Sequence, residues 1–278
     1  MNASYRLVLA DLDGTLLSPE RLIRQANTSA LGEIMQGGVR VGLATGRMPR
    51  SAAPYVETVG ATGPLILLNG AMVWDVATAR PVYQAGLPMD DAVTAMAMAL
   101  ANGVHVNAYV AGEIWIARVS ETSRRSENKD GVPHRVVPDL VDRIAAGEES
   151  PVKLILIDEV GDVTRLHEPL RANLANDCTL VNSEPAYLEV LPPGVTKGSA
   201  LDHIHRHYGI APDHVLAFGD GLNDLELLTR SGLGVAMANA HPAVKEAADI
   251  VIGPHTSDAI GDFLRSEFTA ADGDLTRR

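Results

Sequence analysis

Cysteine is nearly missing: the 278 residues contain one, Cys178, so no internal disulfide can form. That excludes a bridge-stapled secreted scaffold and sets a reducing, cytoplasmic setting as the expectation. Long apolar runs are missing too. No stretch reaches the roughly 18 apolar residues of a membrane span, and Met1-Asn2-Ala3-Ser4-Tyr5-Arg6 leads straight into a strand-like run without the shape of a signal peptide. A soluble protein with no membrane partner is expected. Positive charge is scarce: Lys plus Arg number 23 against 35 Asp plus Glu, a net charge of −12. Nucleic acid and anionic membrane surfaces are therefore poor partners, whereas a small anionic substrate fits wherever a site is made locally positive. There is no internal repeat, and no low-complexity segment beyond a loose tail from Thr269 onward.

What is present is alternation. At this length two domains with a substantial core are the natural expectation. Short apolar runs alternate with longer amphipathic segments, the pattern of a parallel sheet with crossover helices. The first stretch predicts a strand Leu7 to Ala10, a helix Gln25 to Met35 with Ala26, Ala30, Leu31 and Ile34 on one face, a strand Val39 to Leu43, a helix opened by Pro49, and a strand Leu65 to Leu68.

From about Gln84 to Pro185 the pattern changes. A helix Asp91 to Ala101 is followed by strand-like runs Val104 to Val110 and Ile114 to Ala117, then a charged stretch, Ser120 to Asp130, whose mixed-sign end (Arg124 to Asp130) reads as an exposed loop. Strand Lys153 to Ile157, a helix near Val163 to Leu174, and strands Cys178 to Val181 and Tyr187 to Leu191 complete a mixed α+β unit, with Pro192-Pro193-Gly194 as the re-entry hinge. Alternation then resumes: helix Lys197 to His207, strand Val215 to Phe218, helix from Asn223-Asp224 to Ser231, strand Leu233 to Met237, helix Pro242 to Ala247, strand Ile250 to Ile252, and a last helix from Ser257 to about Phe268. The expected architecture is α/β, a doubly wound parallel-sheet, Rossmann-like core of residues 1–83 and 190–278 with an inserted α+β cap at 84–189.

Open parallel sheets bind ligands outside the carboxyl ends of their strands, and there the chemistry-bearing residues stand: Asp11, Thr45-Gly46-Arg47 and Asn69-Gly70. The most informative segment is Asp11-Leu12-Asp13-Gly14-Thr15. Where the strand stops and Gly14 lets the backbone turn, residues two apart can be aimed at one point. Converging carboxylates repel unless a cation or proton sits between them, so the pair suits divalent-metal binding or a nucleophile with a neighbouring acid. Alone, the five residues equally fit an ordinary Asp-Gly turn.

A second acidic group, Asp220 with Asn223-Asp224, ends the strand Val215 to Phe218 in the same topological position. Three to four carboxylates at one sheet edge call for a metal. With no histidine or cysteine at matching strand ends the cation is a hard one, Mg²⁺ first. The Thr45 hydroxyl and Gly46 amide are candidate neutral donors to a phosphoryl group. Lys197, expected in a first helical turn where the dipole opposes a cation, either holds an anion or is a solvated surface lysine.

The segments DLDGTLL (Asp11 to Leu17), ATGR (Ala44 to Arg47), NGA (Asn69 to Ala71), GVTKGSAL (Gly194 to Leu201), GDGLND (Gly219 to Asp224) and GVAMANA (Gly234 to Ala240) occur in this order, split by a cap-sized insert. Together they resemble the haloacid dehalogenase (HAD) superfamily, specifically the Cof-type phosphatases of subclass IIB. The resemblance implies Asp11 as the nucleophile that becomes an aspartyl phosphate, and Asp13 as general acid and then base. It implies Thr45 and Lys197 as phosphoryl-holding groups, with the Gly46 amide beside them. Metal ligands would be Asp11, the Asp13 backbone carbonyl and Asp220, with Asp224 acting mostly through water. Asn223 is similar to a residue that touches substrate phosphate or orients Lys197, and Arg47 and Asn69 stand where the family approaches substrate.

The implied function is a Mg²⁺-dependent phosphatase of small phosphate monoesters, sugar phosphates or related metabolites, with a small phosphorylated metabolite as partner and a monomer or homodimer as assembly. A phosphomutase is the catalytic alternative. A non-catalytic phosphometabolite-binding protein is the other, and such a module has no need of Asp13.

The chain departs from relatives after GVAMANA, where Val251 to Ile260 replaces a short acidic segment. His105, Asn107, Tyr109, Trp115 and Arg118 are candidate cap-lining residues, with burial in the cap core an equal alternative. His203 and His207 share a helix face but lack a third ligand, so a solvated helix end is favoured over zinc. Met89, Met96 and Met98 read as packing.

Overall fold

The computed structural model describes residues 5–147, 149–158, 162–184 and 186–272. The chain forms two compact units, one built from the segments up to Gly46, from Ala52 to Tyr83 and from Lys197 onward, the other from Arg47–Ser51 and Gln84–Thr196.

The first stretch forms β1 (Leu7–Ala10), α1 (Gln25–Gln36), β2 (Arg40–Leu43), α2 (Pro49–Val59) and β3 (Leu65–Leu67). A hairpin unforeseen in the sequence follows, β4 (Met72–Asp75) and β5 (Arg80–Gln84), antiparallel beside β3. Its connection carries no Asn-Gly or Asp-Gly signal. Instead the Asp75 carboxylate accepts bonds from the Ala77 amide and the Thr78 hydroxyl, both at 3.0 Å.

In the second unit, α3 (Met89–Ala101) precedes β6 (His105–Val110) and β7 (Glu113–Ile116), joined through Ala111 and Gly112, both at positive φ as a tight hairpin requires. The charged stretch that reads as an exposed loop is a helix, α4 (Glu121–Asp130). Its local support is a capping box between Ser120 and Ser123, an Arg125–Glu121 ion pair one turn apart, and left-handed Gly131 at its end, and its buried Ser126 accepts from Asn107 Nδ2 of β6 at 2.7 Å. Lacking apolar residues, it has no hydrophobic period to read.

Next come β8 (His134–Val136), α5 (Leu140–Ala145), β9 (Lys153–Ile157), a 3₁₀ turn Val163–Leu166 running into α6 (His167–Asn173), β10 (Cys178–Glu184) and β11 (Tyr187–Pro193). The six strands form one sheet in the order β10-β11-β9-β6-β7-β8, all neighbours antiparallel except β7 and β8. Cys178 pairs with Pro193, which keeps the chain in this sheet past residue 189 and sets the division of the units at Thr196/Lys197. Met96 lies in this unit's core, with Met89 and Met98 packed against it.

The returning chain adds α7 (Ala200–Tyr208), β12 (Val215–Gly219), α8 (Leu225–Arg230), β13 (Leu233–Met237), α9 (Pro242–Ala247), β14 (Ile250–Ile252) and α10 (Ala259–Asp272). The first unit's sheet is parallel, β14-β13-β12-β1-β2, and β3 joins it through a bridge between Ala44 and Ile66. Every β1 residue is 0% exposed, because helices cover both faces. Leu7 and Leu9 pack with Leu201, Ile204, Leu227 and Val244 of α7, α8 and α9. Phe218 instead meets Phe263 of α10 edge-on, with ring centroids 5.8 Å apart.

Lys197 is not in a first helical turn as the sequence suggests: α7 begins at Ala200, and Lys197 stands in the turn before it. The dipole argument for its role therefore falls. His203 stacks on Tyr83, with ring centroids 3.4 Å apart. Among the described residues no helix is long and apolar enough to cross a membrane.

Candidate active site

The register of the parallel strands assembles the site. Ala10 pairs with Phe218 on one side and Leu43 on the other, so Asp11, Gly219-Asp220 and Ala44-Thr45 leave the sheet at one edge. Lys197 arrives there from the turn before α7, with no exposed surface, and its Nζ lies 2.7 Å from Asp11 Oδ1 and 2.5 Å from Asp224 Oδ1. Asp224 is held from its other oxygen as well, which accepts the Asp220 and Gly221 amides at 3.0 and 2.9 Å. Both of its oxygens are thus engaged within the protein, which suits a scaffold or water-mediated role better than direct ligation. Thr15 donates its hydroxyl to Asp220 Oδ1 at 2.6 Å.

Two glycines make the crowding feasible. Gly14 has φ +85°, and a Cβ there would lie 2.3 Å from Asp220 Oδ2. A Cβ on Gly219 would lie 2.5 Å from that of Asp224. Neither position has room for a side chain.

Carboxylate oxygens of Asp11, Asp220 and Asp224 lie within 4.8 Å of one another. Burial pushes the Asp11 carboxyl well above the usual range; Lys197 pulls it down, and Asp224 and Asp220 push it up again. Burial also raises Asp220, to about 6, opposed by the Thr15 hydroxyl and reinforced by Asp224. Burial acts to lower Lys197, but Asp11 and Asp224 outweigh it and the net shift is upward. The short contacts are those of a charged lysine pinned between two carboxylates. Three clustered carboxylates with one lysine among them leave an excess of negative charge that a proton or cation must offset. All these donors are oxygen, the set a hard divalent cation takes.

The Asp13 side chain is exposed and outside this cluster. Thr45 is buried; its amide donates to the Ile66 carbonyl at 2.8 Å and its carbonyl accepts the Asn69 amide at 3.1 Å. Asn69 is held at φ 55°, ψ 34°, a conformation asparagine tolerates better than most residues. Its Oδ1 accepts from Asn223 Nδ2 at 3.0 Å, whereas its buried Nδ2 has no hydrogen-bond partner among the described residues. Gly46 is close by: a Cβ there would meet the Asn69 amide group at 3.2 Å. Arg47 groups with the second unit.

Three supporting residues escaped the sequence reading. Thr15 and Asn239 lie inside segments already singled out, and Asn239 Nδ2 donates to the Gly14 carbonyl at 2.8 Å while its Oδ1 accepts the His255 amide at 2.9 Å. His255, whose Nδ1 lies 2.7 Å from the Leu17 carbonyl, has no local signal at all.

A family profile described as haloacid dehalogenase-like hydrolase matches residues 8–264, and the chain belongs to that family. With membership goes the enzyme class, phosphoric monoester hydrolase of the HAD type. The chain is 31% identical over 265 residues to the HMP-PP phosphatase of Serratia proteamaculans, covering 94% of each chain. It is 29% identical to the 5-amino-6-(5-phospho-D-ribitylamino)uracil phosphatase YcsE of Bacillus subtilis, covering 95% of this chain and 96% of that one. A further relative, the chloroplastic endoribonuclease YBEY of Arabidopsis thaliana, is 26% identical, and the match spans 46% of its length. Among solved structures, TM0651 from Thermotoga maritima superposes with TM-score 0.82 at 28% identity, covering 94% of this chain and 97% of that one. The subclass IIB sugar phosphatase BT4131 shares the fold, with TM-score 0.82 at 24% identity, covering 95% and 99%.

Proposed function

We propose that the protein is a Mg²⁺-dependent phosphatase of small phosphate monoesters, sugar phosphates or related phosphorylated metabolites, working through an aspartyl phosphate on Asp11. The observation that carries this reading is the buried Asp11–Lys197–Asp224 triad at the sheet edge, with Asp220 beside it. A carboxylate whose charge is partly balanced by an adjacent ammonium can approach an anionic phosphoryl group, which an unbalanced cluster would repel.

In this reading Asp11 attacks phosphorus, forming an acyl phosphate as the ester oxygen leaves. Asp13, exposed and outside the cluster, gives that oxygen its proton and then takes one from the hydrolytic water. Lys197 and the Thr45 hydroxyl hold phosphoryl oxygens, and the Gly46 amide and the buried, unpartnered Asn69 Nδ2 are further donors aimed at the same charge. Asn223 fixes the Asn69 amide in its orientation. Asp11, Asp220 and the Asp13 carbonyl would hold Mg²⁺, with Asp224 acting through water. When bound, the ion offsets the surplus carboxylate charge and that of the phosphoryl group. The second unit, Gln84–Thr196 with Arg47, selects the part of the substrate beyond the phosphate.

The test is hydrolysis of p-nitrophenyl phosphate with Mg²⁺, quenched in mid-turnover with borohydride. Reduction of an acyl phosphate turns its aspartate into homoserine, and mass spectrometry should find that change at Asp11. Turnover with no label at Asp11, and turnover surviving in Asp11→Asn, would refute the covalent route.

A further inference from the structure

The turn that follows β1 is held from outside by two residues that the chemistry above does not use. Asn239 lies two positions beyond β13 and His255 three beyond β14, and the pairing of Met237 with Ile252 brings the two loops side by side. Asn239 Nδ2 donates to the Gly14 carbonyl at 2.8 Å and its Oδ1 accepts the His255 amide at 2.9 Å, while His255 Nδ1 lies 2.7 Å from the Leu17 carbonyl. A carbonyl only accepts, so Nδ1 carries the proton and donates. In the strand order β14-β13-β12-β1 these contacts reach across the end of β12. The three bonds form one clasp, closed on the carbonyls of residues 14 and 17.

The clasped turn carries Asp13. Its own bonds run inward: the Thr15, Leu16 and Leu17 amides donate to the Leu12, Asp11 and Leu12 carbonyls at 3.3, 3.2 and 2.9 Å. Gly14 follows Asp13 directly, sits at φ +85°, and has the widest conformational freedom of any residue there. The Asp13 side chain is exposed, so its direction depends on the backbone that bears it. Proton transfer requires hydrogen-bond reach to the ester oxygen, and a displacement of about 1 Å can cost on the order of 10²-fold in rate.

Stability is a poor account of the clasp. Asn239 is exposed and His255 half-buried, and hydrogen bonds open to water add little to folding because water competes for both partners. The two loops also have anchors of their own. The His241 amide donates to the Asp220 carbonyl at 3.0 Å, and the Ser257 amide and hydroxyl donate to the Pro254 carbonyl at 2.9 and 2.7 Å.

We propose that Asn239 and His255 are positioning residues that hold the Gly14 to Leu17 turn and thereby aim the Asp13 carboxyl at the leaving oxygen. The inference rests on the phosphatase reading above, in which Asp13 is the proton donor.

The experiment compares kcat/KM for phenyl phosphate and p-nitrophenyl phosphate, at saturating Mg²⁺, in the wild type, His255→Asn, His255→Gln, His255→Leu and Asn239→Ala. The esters differ little in shape, but p-nitrophenolate leaves without a proton, whereas phenolate is about as basic as an ionised tyrosine and needs one. In a covalent route kcat/KM ends at the acyl phosphate, so it reads the acid role and not the later base role. Asparagine sets an uncharged N–H at the same reach as Nδ1, and glutamine sets it one bond further out.

His255→Gln, His255→Leu and Asn239→Ala should lose at least about tenfold on phenyl phosphate and a clearly smaller factor on p-nitrophenyl phosphate. His255→Asn should stay within about threefold of the wild type on both. Equal losses on the two esters would overturn the proposal. So would a His255→Asn as poor as His255→Gln, which would assign the effect to the charge of the ring instead. Thermal unfolding checks that each variant is folded, and the asparagine and glutamine pair decides the matter if His255→Leu is not.

Amide hydrogen exchange on the metal-free protein, read by NMR, needs no turnover. Thr15, Leu16 and Leu17 should exchange at least about threefold faster in His255→Gln and Asn239→Ala, and at the wild-type rate in His255→Asn. Unchanged exchange would overturn the proposal whatever the kinetics. If the wild type hydrolyses neither ester, the phosphatase reading fails, and the exchange rates alone decide whether the clasp holds the turn.

Discussion

Lys197→Met exposes how the site is held together. Lys197 is fully buried and bonded at 2.7 and 2.5 Å to two carboxylates, themselves buried. Methionine fills similar volume without charge, so the loss is that of breaking a buried ion pair from one side, about 3 to 5 kcal/mol. Asp224 keeps two backbone amides on its other oxygen, which leaves Asp11 as the group most in need of a proton.

The loss should therefore depend on pH. Lys197 has a raised pKa in the fold, so its own contribution is complete below the unfolded lysine value and constant across the acid and neutral range. Asp11 is the group that changes. Its folded pKa is already raised and rises further without the lysine, so the folded variant holds a proton that the unfolded chain releases. Stability of the variant then falls as pH climbs from the ordinary carboxylate value through the raised one. Urea unfolding with chelator present, followed by circular dichroism, should give a difference from wild type that is small near about pH 5 and reaches about 3 to 5 kcal/mol near neutrality. A difference below about 1 kcal/mol at neutral pH, or one equal at both pH values, would refute the picture of a lysine pinned between charged carboxylates.

Asp11→Asn should abolish phosphate release while leaving the unfolding transition in place, and Asp13→Asn should lower kcat by about 10² to 10⁴; release rates with a generic aryl phosphate check both. Chelation should silence the enzyme, Mg²⁺ should restore it and Ca²⁺ should restore it poorly, since a larger and looser coordination shell misplaces nucleophile and phosphate. With Asp220 pushed up from the usual 3.8 to about 6, the metal-free protein should lose about 3 kcal/mol of stability as pH rises from about 4 through that value. The fold retains the Asp220 proton longer than the unfolded chain does; Asp220→Asn should remove that slope, and an identical slope in the variant would contradict it. Gly14→Ala should unfold the loop or weaken Mg²⁺ binding, read by metal titration, because its Cβ would fall 2.3 Å from Asp220 Oδ2 in a positive-φ turn.

The sequence by itself determined the parallel core. A strand with both faces covered is a continuous apolar run, and Leu7-Val8-Leu9-Ala10 and Val215-Leu216-Ala217-Phe218 can be read as such without any partner in view. It also placed Asp11, Thr45, Asn69 and Asp220 at strand ends, because a turn after a strand is written in local residue chemistry. It could not see α4, whose support is caps, an ion pair and polar contacts to β6 and no apolar stripe, and it put Lys197 inside a helix that begins three residues later.

Tertiary structure alone decided which oxygen meets which donor. Lys197 and Asp11 are 186 positions apart and Thr15 and Asp220 are 205 apart; nothing local encodes a distance between them. The register of β1 between β2 and β12 sets it, and that register follows from packing two helical layers against one sheet. The same holds for the ion pair of Lys153 and Glu189: each reads alone as an ordinary charge on a strand, and only the antiparallel pairing of β9 with β11 puts them together, out of water.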